Sequence, residues 1–137
     1  MAWRTEVAAK SPLLVERLDE MADGEVEFVQ ELYDTFVESS EDDLAKIRAG
    51  VESNDTRAYR LSAHSLKGSA LSLGLEKLST IASLVEKGAN TLLEQKISDQ
   101  VAPEASEQIV VLEECLKEAL EALKQYIADA SEAAPTG

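Results

Sequence analysis

Among side chains suited to nucleophilic or acid–base chemistry near neutral pH, the chain offers one histidine, His64, and one cysteine, Cys115. His64 stands in the run Ala63-His64-Ser65-Leu66-Lys67-Gly68-Ser69-Ala70-Leu71-Ser72-Leu73-Gly74. An imidazole, with an ordinary pKa of ~6.5, presents a neutral nitrogen nucleophile at cellular pH and needs no strong base to activate it. A phosphoryl group placed on that nitrogen forms a reactive phosphoramidate, which can be handed on; on serine it would be stranded.

Placing the run on a helix gives it meaning. At about 100° per residue, a buried stripe through Ala63, Leu66, Ala70 and Leu73 leaves His64 on the opposite side, pointing to water. Arg57, Arg60, Lys67, Gly68 and Leu71 fall on the same face as the histidine. A hydrogen-bonded core histidine conflicts with this periodicity. An inert surface histidine leaves Gly68 unexplained, because a glycine inside a helix costs ~1 kcal/mol relative to alanine. One turn beyond His64, the missing side chain opens a path to the ring for another protein. Lys67, three residues on, is spaced to meet the histidine, and its ammonium can offset the charge of a phosphoryl group there.

Other chemistries find little support. There is no G-x-x-x-x-G-K-[ST] loop or G-x-G-x-x-G turn for nucleotide phosphates. One His and one Cys far apart give no convincing zinc or haem ligand set. Carboxylate runs such as Glu41-Asp42-Asp43 read as solvated helix surface. A passive helical adaptor, with His64 incidental, is the competing reading.

The elements that must position His64 follow from apolar spacing. Ser11-Pro12 opens a short first helix to about Met21. Val26, Val29, Tyr33, Phe36, Val37, Leu44 and Ile47 mark a long second helix, stopped by Gly50 as a left-handed C-cap. Asn54 or Asp55 caps a third, which carries His64 and ends at Gly74. A fourth runs from Leu75 to about Glu86 and stops at Gly88. Residues 89–102 fit either a short helix or a packed connection. Pro103 opens the last helix, with its seam Ile109, Leu112, Leu116, Leu120, Leu123 and Ile127.

The expected fold is all-α: an antiparallel up-down-up-down four-helix bundle with an additional short N-terminal helix across one end. Residues 1–10 are read as an N-terminal extension, 11–130 as the bundle domain and 131–137 as a frayed tail.

Composition narrows the setting. Thirteen Lys and Arg against 27 Asp and Glu give a net charge of −14, which opposes binding to nucleic acid and to anionic lipid. A single cysteine excludes a disulfide scaffold, and no stretch is apolar enough for a signal peptide or membrane span. The expectation is a monomeric cytoplasmic protein, or a nuclear one in a eukaryote.

At His64, Lys67 and Gly68, with flanking Ala63, Leu66, Ser69, Ala70 and Leu73-Gly74, the sequence resembles a histidine-containing phosphotransfer domain. The resemblance spans roughly residues 12–128. It implies that His64 is the phosphoacceptor, exchanging a phosphoryl group with aspartates of response-regulator receiver domains fed by a hybrid sensor histidine kinase. Mg²⁺ would sit on the receiver and this chain would bind no cofactor. Lys67 would give electrostatic support, Gly68 steric access, and Arg60 and Leu71 would contact the partner.

Overall fold

The computed structural model describes residues 2–133. Six helices follow one another: α1 (Ala2–Ala8), α2 (Val15–Ala22), α3 (Val26–Glu52), α4 (Thr56–Ser72), α5 (Glu76–Glu94) and α6 (Ala105–Ala133). The last four form the expected bundle, α3 packing on α4, α4 on α5, α5 on α6, and α6 closing the ring on α3. The α4–α5 seam shows the antiparallel sense, since Arg60 meets Asn90 while His64 and Lys67, further along α4, meet Glu86.

The bundle closes because each helix contributes a continuous apolar stripe. Val29, Phe36 and Ile47 of α3, Tyr59, Ala63, Leu66 and Ala70 of α4, Leu78, Ile81 and Val85 of α5, and Leu112, Leu116 and Leu123 of α6 are all buried. Each large aliphatic among them contributes about 1.5–3 kcal/mol by leaving water. With a core this deep, α4 has one rotational setting, and that setting decides what faces outward.

Both ends of α4 are fixed by local chemistry. Asn54 takes the left-handed turn residue's φ of 55°, and Asp55 then caps the helix, its carboxylate accepting from the Ala58 amide at 3.1 Å. The first turn is also stitched to the α5–α6 connection. Thr56 Oγ1 donates to the Gln100 carbonyl at 2.6 Å, and Tyr59 Oη accepts from the Ala102 amide at 3.1 Å. At the other end Gly74, with φ +74°, makes the turn into α5, and its carbonyl accepts from the Leu14 amide at 2.8 Å. A side chain there would strike Arg17 Cβ at 2.9 Å.

Several boundaries differ from the sequence reading. Ser11-Pro12 does not open a helix: the Ser11 carbonyl accepts from the Lys77 amide at 2.9 Å, and the helix starts only at Val15. The N-terminal extension holds a further helix, α1, which buries Trp3 and Val7 against the bundle, so two short helices precede it. Gly50 is not the C-cap, because α3 continues to Glu52. It lies at the α3–α4 crossing, where a Cβ would come within 2.8 Å of the Tyr59 amide nitrogen. Gly88 does not stop the fourth helix either. That helix reaches Glu94, and Gly88 makes room for Ala102, whose Cβ would lie 3.0 Å from an added one. The segment 89–102 is therefore helix to Glu94 followed by a connection, and α6 begins at Ala105, two residues after Pro103. Ser131–Ala133 continue α6; the rest of the expected tail, and Met1, lie outside the described residues.

Candidate functional site

His64 projects from the side of α4 opposite Ala63 and Leu66, and its side chain is 56% exposed. The inner edge of the ring is tied down. Nδ1 lies 2.6 Å from Oε2 of Glu86, a residue of α5 whose side chain is only 7% exposed. The other oxygen of the same carboxylate, Oε1, accepts from Lys67 Nζ at 2.6 Å. One buried carboxylate thus collects two of the candidate residues predicted on α4, His64 and Lys67.

The ionisation of Glu86 follows from competing effects. Burial pushes its carboxyl up, but hydrogen bonds from Lys67 and His64, with the charges they bring, outweigh this and hold it below the usual carboxylate value. Glu86 is therefore a carboxylate at neutral pH, and a carboxylate can only accept. The ring must donate from Nδ1, and a neutral imidazole bound in this way carries its lone pair on Nε2, at the edge away from Glu86. The site presents one oriented, solvent-facing nitrogen nucleophile with an ammonium anchored beside it.

The surroundings leave that nitrogen accessible. A Cβ built on Gly68 would meet nothing within 4 Å, so this glycine serves no close helix packing. Arg60, one turn before His64, donates from Nε to Asn90 Oδ1 at 2.7 Å, which steadies its guanidinium on the same face. Leu71 is 54% exposed. Glu86 and Asn90, one turn apart on α5, together set the directions of Arg60, His64 and Lys67.

Sequence reasoning missed Asn90, which holds Arg60, and three further residues here. Glu86 was read only as the end of a helix, although it continues the stripe through Leu78, Ala82 and Ala89, where a charge signals a buried partner. Leu61, 63% exposed and three residues before His64, is an apolar side chain on the outer face that the pattern alone could have flagged. Asp43 is not part of a solvated acidic surface. It is buried on α3 and accepts from Ser65 Oγ at 3.0 Å, and burial pushes its carboxyl above the usual value despite that bond. Asp42 beside it does stay exposed, paired with Lys46 at 2.8 Å.

Among the described residues, no helix is long and apolar enough to cross a membrane, and no group of His, Cys, Asp and Glu side chains is arranged to hold a metal ion. Cys115 is buried, which pushes its thiol up to about 11 and leaves it a packing residue.

Compared with known proteins, the chain matches the family model of the Hpt domain over residues 31–128. No curated protein and no solved structure matches it. The match contains α4, α5 and most of α3 and α6, hence His64, Lys67, Gly68 and Glu86 together. Domains of this family act as phosphocarriers in histidine phosphotransfer, not as kinases, and interact with receiver domains and sensor kinases. With more than half of its length covered, the chain belongs to the Hpt domain family.

Proposed function

We propose that this protein is a phosphorelay intermediate, taking a phosphoryl group onto His64 from the aspartyl phosphate of one receiver domain and passing it to the aspartate of another. In the forward step the Nε2 lone pair attacks phosphorus, the N–P bond forms, and the bond to the aspartyl oxygen breaks, returning that carboxylate as the leaving group. The return step reverses these bonds on a second receiver. The observation that carries the reading is the oriented ring: Nδ1 held by buried Glu86, Nε2 free at the surface.

Each neighbour then has a part. Lys67 offsets charge on the equatorial phosphoryl oxygens while Glu86 keeps it within reach. Gly68 lets the receiver's acceptor loop come close enough for nitrogen, phosphorus and oxygen to lie in line, where phosphoryl transfer depends mainly on positioning and charge. Leu61 and Leu71 give apolar contact on either side of the ring, and Arg60 a steadied cation. Mg²⁺ belongs to the receiver in this scheme, a hybrid sensor histidine kinase loads the first receiver, and the protein works as a monomer.

The competing passive adaptor needs no oriented nucleophile. Incubation with a radiolabelled phosphorylated receiver separates the two readings. The expected product is an acid-labile, base-stable phosphate on the chain, absent from His64→Gln. Label that persists in His64→Gln excludes His64 as the carrier.

A further inference from the structure

The helix α1 lies wholly outside residues 31–128 that match the family, yet it borders the His64 face. A groove of about 240 Å³ is lined by Glu6 of α1, Lys10 in the turn after it, Lys67 and Leu71 of α4, and Thr80 and Lys87 of α5, among others. The Lys67 ammonium in that groove is the one that shares Glu86 with His64. The groove and the nucleophile therefore form one continuous surface.

A helix of seven residues does not hold its shape alone in water. Its position comes from Trp3 and Val7, buried to 7% and 2% exposure, and from an ion pair between Arg4 and Glu107 at 3.3 Å. Trp3 and Val7 face inward and the Arg4–Glu107 pair lies at the surface, while Glu6 and Lys10 line the groove. Lys10 is only loosely engaged there, with Glu76 at 3.7 Å.

Charge suggests what the groove faces. In a chain of net charge −14, this groove gathers three lysines, Lys10, Lys67 and Lys87, against one carboxylate, Glu6, and Arg60 adds a cation one turn before His64 on α4. A surface bearing an aspartyl phosphate is anionic, so the complementary partner is the acidic rim of a receiver domain.

We propose that α1 and the turn after it form a recognition arm: Glu6 of α1 and Lys10 of the turn extend the receiver-docking surface beyond His64 and discriminate among receivers by the charge of the rim seated against them. This rests on the phosphotransfer reading above.

Two substitutions of opposite sign test it on the full chain, against every phosphorylated receiver domain of the source organism that loads the unmodified protein. For a receiver with an acidic rim, Lys10→Glu should lower kcat/KM for transfer about fivefold and Glu6→Lys should raise it by a similar factor, both merging with wild type near ~1 M salt. Labelling by phosphoramidate, a small donor that needs no docking, should not change. Mere loosening of α1 would move both variants in the same direction. That result, or unchanged transfer from every receiver, or an equal change with phosphoramidate, overturns the assignment to α1. Failure of the unmodified chain to take label from any receiver would instead bring down the phosphotransfer reading itself.

Discussion

Replacing Glu86 with glutamine keeps the volume of a buried side chain and removes its charge. Glutamine has one acceptor oxygen where the carboxylate has two, so it can serve His64 Nδ1 or Lys67 Nζ, and its amide then faces the other as a second donor. A hydrogen bond to a charged group is worth about 1.5–3 kcal/mol. The His64 and Lys67 side chains are 56% and 26% exposed, so the released donor can turn to water. The low end of that range applies, giving a loss of about 1.5 kcal/mol in stability at neutral pH. A barrier raised by the same amount slows phosphoryl transfer about tenfold. The pH dependence has a definite sign. Glu86 has a folded pKa below its unfolded value, so its ionised form favours the fold above the usual carboxylate range, and this contribution fades as pH falls through the folded value. The gap in melting temperature between Glu86→Gln and wild type should therefore be wide at pH 7 and close under acid. Rapid-quench transfer assays, melts across pH and ¹⁵N spectra of the imidazole check the three parts. Transfer within twofold of wild type together with a pH-independent gap would refute the argument, as would a wild-type neutral ring bearing its proton on Nε2.

Two glycines give contrasting expectations. Gly68→Ala enters open space on a helix and should raise stability by about 0.5–1 kcal/mol in a thermal melt, whereas Gly68→Gln should fold equally well and lose most transfer from receivers. Gly50→Ala puts a methyl 2.8 Å from backbone of α4 and should cost about 1–3 kcal/mol, read by urea denaturation, as α3 and α4 are forced apart.

The bundle and the outward setting of His64 were legible in the sequence because both depend on short-range periodicity, and the stripe through Ala63, Leu66 and Ala70 leaves little freedom. Glycines were misread at two positions for a common reason. Gly50 and Gly88 were given conformational roles, but each serves a close approach between segments distant in sequence, Tyr59 in one case and Ala102 in the other. Nothing local to either glycine records such a neighbour. Glu86 was hidden similarly, since its meaning comes from the pairing of α5 with α4 across Gly74. The helix α1 escaped notice because Trp3 and Val7 are too few to establish a period before the bundle buries them.

The shared carboxylate also bears on the direction of traffic. A group added at Nε2 leaves the Nδ1 contact in place, so the loaded and empty rings occupy the same seat and the bundle has no rearrangement to perform between them. Under the phosphotransfer reading, such a carrier contributes no ratchet. Under that reading the direction would be left to the receivers, to how strongly each holds its phosphoryl group and how much of each is charged.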